Sequence, residues 1–385
     1  MKKTSPIRPN IVSIIGTRPE AIKFLPILRA LERRAHLMNS RTIITSQHTD
    51  LIDNFIASGA LRVDFKADVA RPRGGLNEFL AGAIAEIDVA FDRLKPDFVL
   101  VQGDTGSTLA GALAAFNRRI PVGHVEAGLR SLQRDDPFPE EVNRRMVSQL
   151  ASLHFTATRR NTETLLAEGI EAGQIVETGN TVVDALLHTL ATARPSPETA
   201  ALLDRLSGKR ILTVTCHRRE NHGDRLTGML RALRGFTLAH PDVALVFPVH
   251  PNPAVRAACD AVFPRSDAFH LVAPMDHTDF IHLLRASWLI ASDSGGVQEE
   301  APSLGKGLLV LRDSTERQEV IEAGHARLVG TDPVALRNEL EEAYAPHSWI
   351  TRLSRDTNPF GNGDAATRIV SAIEARMIAA LRIAS

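Results

Sequence analysis

Ile11-Val12-Ser13-Ile14-Ile15-Gly16-Thr17-Arg18-Pro19-Glu20-Ala21-Ile22-Lys23 is a five-residue apolar run that stops at a glycine and passes at once into a helical start. The run is too short for a buried helix and reads as a strand. Pro19 suits the first turn of the helix that follows, where no amide donor is needed. The same unit recurs along the chain. Short apolar runs at Thr42–Thr45, Phe98–Val101, Val122–His124, His154–Ala157 and Ile175–Glu177 alternate with longer segments of helical period. A second series follows at Ile211–Thr215, Ala244–Val249, Phe269–Val272, Trp288–Ala291 and Leu308–Leu311. That alternation predicts an α/β fold, with parallel strands covered by helices on both faces. Between the series, Thr178–Asp184 leads into a helix and Arg194-Pro195-Ser196-Pro197-Glu198 forms a proline-broken loop. The expected domains are residues 1–180, residues 181–364, and a helix over 365–385.

The 385 residues suit about two domains. Forty-five basic side chains balance 45 acidic ones, so no cationic surplus exists to neutralise a nucleic-acid backbone or an anionic membrane. At 44% hydrophobic and 23% charged, the composition is that of a folded chain. One Tyr and two Trp leave little material for stacking platforms that grip single strands or glycans. Cys216 and Cys259 are too few for a disulfide framework or a cysteine-based zinc site, which points to a reducing cytoplasm. Met1-Lys2-Lys3 is basic, but the apolar stretch behind it is too short for a signal peptide, and nowhere do about 18 uncharged apolar residues run together.

In open parallel sheets ligands bind beyond the carboxyl ends of the strands, so polar clusters placed there are the candidates for chemistry. Arg18 and Lys23 can face an anion near the first helix start, or can be solvated cations. Asp104, after the strand ending at Val101, can act as a base or cap the next helix. Glu126, in His124-Val125-Glu126-Ala127-Gly128-Leu129-Arg130, follows a strand and has no helix face to explain it. Glu140 opens a helix, where an acid favours the dipole. Three acids from separate loops nevertheless suggest a set that divides acid and base roles. In the second half, Thr215-Cys216-His217-Arg218-Arg219-Glu220-Asn221-His222 matches no standard zinc spacing. His250 sits in a rigid turn and can be a structural histidine. Asp293-Ser294-Gly295-Gly296-Val297-Gln298-Glu299-Glu300 offers small residues at a helix start where a phosphate can approach, with Glu300 one turn on and Arg317 as a counter-charge. No Walker A or Gly-x-Gly-x-x-Gly pattern accompanies it.

Gly16-Thr17-Arg18-Pro19-Glu20-Ala21-Ile22-Lys23, His124-Val125-Glu126-Ala127-Gly128-Leu129-Arg130 and Asp293-Ser294-Gly295-Gly296-Val297-Gln298-Glu299-Glu300-Ala301-Pro302 together closely resemble the non-hydrolysing UDP-N-acetylglucosamine 2-epimerases, from Gly16 to about Gly363. The resemblance implies a GT-B fold, in which two Rossmann-like domains with parallel sheets face a central cleft, and usually a homodimer. It also implies a C-terminal helix packed back on the first domain. The residues themselves offer no convincing site for a metal or a nicotinamide, so no cofactor is expected. The implied partners are UDP-N-acetylglucosamine, UDP-N-acetylmannosamine and UDP. By the family's pattern, Asp104, Glu126, Glu140 and His217 are catalytic. Ser294, Gly295 and Gly296 meet the diphosphate, Glu300 the ribose and Phe280 the uracil; Arg18, His217 and Arg317 meet the diphosphate or nearby sugar, with Lys23 supporting the same region, and Arg144 and His250 are further substrate-binding residues. The implied reaction is reversible epimerisation at C2 through loss of UDP to 2-acetamidoglucal and re-addition.

Some positions depart from the pattern. Cys216 stands where Gly is common, Gln102 where His is frequent, and Gln318 where Pro usually follows the arginine. Gly74 and Thr49-Asp50 differ where some relatives bind a second, activating substrate molecule, which predicts catalysis without that activation. The alternatives are an epimerase of another UDP-2-acetamido sugar, such as a diacetamido uronate, or a GT-B glycosyltransferase. Glu20 after Pro19 favours the N-acetylglucosamine branch over the uronate relatives, which tend to have Gln there.

Overall fold

The computed structural model describes residues 8–45, 55–57, 59–69, 74–218, 221–264 and 266–384. The chain divides into two units, residues 1–185 with 363–385, and residues 186–362. The division falls inside a helix, Thr181–Thr192, rather than ahead of it.

The first unit holds β1 (Asn10–Ile15), β2 (Asn39–Ile44), β3 (Phe65–Lys66), β4 (Phe98–Gln102), β5 (Val122–Ala127), β6 (Leu153–Thr156) and β7 (Ile175–Glu177), in the sheet order β3-β2-β1-β4-β5-β6-β7. Every pairing is parallel. Alternate residues feed opposite faces, as the strand period requires. Ile11, Ile15, Phe98 and Leu100 pack with Phe24 and Ile27 of α1 (Arg18–Glu32). Val12, Ile14, Val99 and Val101 pack with Ile87 of α2 (Leu76–Leu94) and Leu109 of α3 (Gly106–Asn117). Both faces are therefore apolar, which is why these strands read as continuous hydrophobic runs. α4 (Glu140–Leu150), α5 (Arg159–Ala167) and α6 (Thr181–Thr192) complete the layers before the chain leaves the unit. The last helix, residues 365–384, returns to it: Ile369, Val370 and Ile373 are buried with α1 residues, and Arg34 pairs with Glu374 at 3.0 Å.

The second unit repeats the scheme with β8 (Arg210–Thr215), β9 (Val243–Pro248), β10 (Phe269–Val272), β11 (Leu289–Ser292), β12 (Gly307–Val310) and β13 (Ala326–Leu328), ordered β10-β9-β8-β11-β12-β13 and all parallel. Its first helices are α7 (Pro197–Arg205), α8 (Asp224–Ala239), α9 (Pro253–Val262) and α10 (His277–Ala286). Leu212, Val214, Leu245 and Phe247 fill one face and Ile211, Ala244 and Val246 the other. Each unit is a Rossmann-like sheet whose strand order reverses at one place, between β1 and β4 or between β8 and β11. There the loops beyond the strand ends diverge and leave room for a ligand.

Two strands were not expected from the sequence. β3 has two residues and β13 three, beyond Gly324, and neither is long enough to show an apolar pattern. Other boundaries shift: β2 starts at Asn39 because Asn39, Ser40 and Arg41 pair with β1 although their side chains are polar. β5 runs on to Ala127, so Glu126 lies within a strand and not after it.

Candidate active site

Gly16 ends β1 at the switch point of the first sheet. A Cβ on Gly16 would lie 1.8 Å from Ser107 Oγ, so only glycine lets the β1–α1 loop and α3 touch. Thr17 then caps α1, and Glu20 reaches back to the backbone amides of Gly16 and Thr17, both at 2.7 Å. The other Glu20 oxygen accepts from the hydroxyls of Thr105 and of Thr108, the latter at 3.0 Å. Burial pushes the Glu20 pKa up, and the hydrogen bonds from Thr105, Gly16, Thr17 and Thr108 oppose that rise. This carboxylate therefore fastens the β1–α1 loop to the β4–α3 loop. It was not among the expected site residues, although Thr17-Arg18-Pro19-Glu20 is a legible capping-box signature.

Lys23, one turn further along α1, is 8% exposed and forms an ion pair with Glu126. Gln102 Nε2 donates to the same Glu126 oxygen at 3.0 Å. Glu126 owes its position to a bulge: β5 and β6 pair Val125 with Phe155 and then Ala127 with Thr156, leaving Glu126 as the extra residue at φ 64°. A non-glycine residue in this left-handed region is strained, and bulges re-aim side chains in this way. The Gln102 Oε1 atom is buried with no hydrogen-bond partner among the described residues.

Asp104 follows Gly103 and accepts from Arg144 of α4, at 3.1 Å from Nε and 2.5 Å from Nη2. Asn143 Nδ2 donates to the Asp104 carbonyl at 2.9 Å. The helix cap considered for Asp104 falls instead to Thr105, whose hydroxyl accepts from the Thr108 amide at 3.3 Å. The structure thus groups Lys23, Gln102 and Glu126, and groups Asp104 with Arg144, all at the carboxyl edge of the sheet. Arg18 is half-buried at the first position of α1, and Glu140 is half-buried at the first position of α4. Its neighbour Glu141 is fully buried and structural, bound to Arg144, Arg145 and the Ser131 amide at 2.8–3.1 Å. His124 is buried beneath these loops and donates from Nε2 to the Gly103 carbonyl at 2.7 Å. Desolvation, with smaller repulsion from His154 and two arginines, lowers its pKa to about 3, so it is neutral in any ordinary buffer.

In the second unit the switch-point loops meet at Asp293, which is fully buried just after β11. It accepts from the His217 and Arg218 amides at 2.9 Å each and from Asn221 Nδ2 at 3.0 Å. His217 Nδ1 lies 3.3 Å from its other oxygen, and the ring, 41% exposed, stacks on His250 at 5.5 Å. Burial, then the His217 and His222 charges against that of Asp293, leave the His250 pKa below its ordinary value. Burial and the Asp293 carboxylate push the Cys216 thiol far up, so it is inert. Asp293 is the residue that holds this loop, a role the sequence signals only by placing an acid directly after a strand.

Ser294 caps α11 (Gly295–Ser303) without a side-chain bond to the helix. The Arg317 guanidinium lies against Gly295, where a Cβ would come within 3.0 Å of it. Arg317 is buried and bound to Glu299 at 2.6 Å and to Glu316, which in turn pairs with Arg312 at 3.0 Å. Glu300 is buried one turn into α11. Phe280, half-buried on the helix His277–Ala286, is not part of this bonded group. Among the described residues no three of His, Cys, Asp and Glu are arranged to hold a metal ion, and no helix is long and apolar enough to cross a membrane. Thr49 and Asp50, tied in the sequence to a second substrate site, lie outside the described residues, and Gly74 is held at φ 71° just before α2.

A family model described as UDP-N-acetylglucosamine 2-epimerase matches residues 29–374. The chain is 41% identical over 361 residues to the UDP-N-acetylglucosamine 2-epimerase of Bacillus subtilis strain 168, covering 94% of each. It is 38% identical over 370 residues to the Escherichia coli K12 enzyme of the same name, covering 95% of this chain and 98% of the other. The structure of the UDP-GlcNAc 2-epimerase from Neisseria meningitidis bound to UDP-GlcNAc matches with a TM-score of 0.85 at 35% identity, over 94% of this chain and 99% of that one. Sucrose-phosphate synthase from Thermosynechococcus elongatus shares the GT-B fold alone, with a TM-score of 0.65 at 14% identity over 97% and 100% of the chains.

Proposed function

Because the chain belongs to the UDP-N-acetylglucosamine 2-epimerase family and is an enzyme of that activity, we propose that it inverts C2 by eliminating UDP and adding it back. The hydrogen at C2 of the sugar is not acidic, so removing it requires the anomeric UDP to leave. The C1–O bond breaks, a carboxylate takes the C2 proton, and 2-acetamidoglucal and UDP result. Re-addition delivers a proton to the opposite face of C2 while a β-phosphate oxygen rejoins C1, giving UDP-N-acetylmannosamine.

The observation that carries this reading is Glu126, held on a strained bulge by Lys23 and Gln102 at the carboxyl edge of the first sheet. A carboxylate fixed by two donors is oriented before substrate arrives, which is what positioned proton transfer demands. Asp104 and Glu140 complete the proton-handling set, with Arg144 holding Asp104. On the second unit, the α11 start at Ser294, Gly295 and Gly296 takes the diphosphate, with Arg317 and His217 beside it. Arg18, Lys23 and His250 add to the binding of diphosphate and sugar, Glu300 takes the ribose and Phe280 the uracil. The working form is a cytoplasmic homodimer.

The test is incubation of the protein with UDP-N-acetylglucosamine alone in deuterium oxide, followed by proton NMR. The manno epimer should appear with deuterium at C2. Epimer that keeps its protium, or no epimer, would contradict the proposal.

A further inference from the structure

At the opposite edge of the first sheet, a cavity of about 310 Å³ is lined by the residues that precede β1, by the start of β2 and by the end of α1. Six residues of strand, at about 3.3 Å each, put it about 20 Å from the loops that follow Gly16. Four arginines line it, Arg8, Arg29, Arg41 and Arg62, against two acids, Glu32 and Asp64, which leaves a net charge of +2. Asp64 is already engaged by Arg41 at 2.9 Å, by the Thr42 amide at 3.0 Å and by Arg62 at 3.6 Å. Arg8 spends one of its five donors on the Ala35 carbonyl at 2.6 Å. The Arg29 guanidinium has no hydrogen-bond acceptor among the described residues. Its place in the last turn of α1 suits a cation near a helix end, but gives its donors nothing to bond. Burial also opposes its charge, a cost that a bound anion would offset. Leu28, Leu31 and Met38 supply an apolar wall.

We propose that this cavity is a second ligand site, for a small phosphomonoester whose dianionic phosphate meets Arg29, Arg41 and Arg62 and whose carbon body lies on the apolar wall. A phosphomonoester carries close to two negative charges at neutral pH, which matches the surplus. The volume is at the lower end of small-molecule pockets, too small for a nucleotide sugar and sufficient for a three- to six-carbon body.

The experiment is calorimetric titration of the full chain with glycerol 3-phosphate, in the presence of saturating UDP so that nucleotide-binding groups are occupied. One equivalent should bind, and uncharged glycerol should not. Arg29→Ala should weaken binding by about tenfold or more, the effect of losing one charge-assisted hydrogen bond. Arg62→Glu, at a side chain 75% exposed and so safe for the fold, should weaken it as well. UDP affinity and epimerisation should stay unchanged in both. Weakening in either variant supports the site. No saturable binding up to about 10 mM, equal affinity in the wild type and both variants, or equal binding of glycerol, would overturn it.

Discussion

Glu126 is held at φ 64°, in a conformation that costs an L-residue on the order of 1–3 kcal/mol, and the bonds from Lys23 and Gln102 keep it there. Such an arrangement is expected of a side chain whose aim matters more than its stability. Glu126→Gln preserves shape and the contact with Gln102 but removes the proton acceptor. Turnover should fall at least about a hundredfold, with UDP affinity and circular dichroism unchanged. Calorimetry with UDP and a coupled assay check both halves, and normal turnover would remove Glu126 from the chemistry. The sequence singled out this residue because no helix face explained it, yet placed it beyond its strand. The bulge adds one residue to β5 without altering the apolar run before it, so strand alternation could not reveal it. The same limit hid Asp293 and Glu141, whose importance lies in buried bonds to other loops. Gln102 was legible only as an unusual neighbour; its bond to Glu126 needed the β4–β5 pairing to be seen.

At the scale of elements, the site depends on α3 seating against the end of β1. Gly16→Ala would place a methyl 1.8 Å from Ser107 Oγ, and the overpacking should cost about 1–3 kcal/mol in urea unfolding. Adding Ser107→Gly removes the obstructing side chain and should recover much of the loss, so the two changes would be strongly non-additive. Additive costs would show that the two elements are not in contact. The strand-to-helix unit from Ile11 to Lys23 was readable because apolar period, glycine stop, Pro19 and the Thr17–Glu20 box all agree. β3 and β13 were not, since two or three residues at a sheet edge carry no period.

Across the whole molecule, the C-terminal helix Ala365–Ala384 ties the end of the chain to the first unit. Asp184 of α6 accepts from its first amides, Ala365 and Ala366, at 3.3 and 3.0 Å, and burial raises the Asp184 pKa to about 6. A raised carboxyl pKa means that the unfolded chain loses this proton first, so the Asp184 contribution is full below about pH 4 and is lost as pH rises through about 6. Asp184→Asn lacks that loss, and its melting temperature relative to wild type should rise between those two pH values. A constant difference would mean that Asp184 titrates normally. The alternation of strand and helix disclosed two parallel sheets. The path of the chain back into the first unit came only from family resemblance, because periodicity makes a helix but does not dock it. The proposal that UDP leaves and returns is tested most directly with UDP-N-acetylglucosamine carrying oxygen-18 in the bond between C1 and the β-phosphate, followed by phosphorus NMR. Free UDP turns its terminal phosphate before re-addition, so the label should spread from the bridge to the non-bridging β-phosphate oxygens as epimerisation proceeds. Label that stays in the bridge while the manno epimer accumulates would show that the C1–O bond never breaks, and would contradict the account.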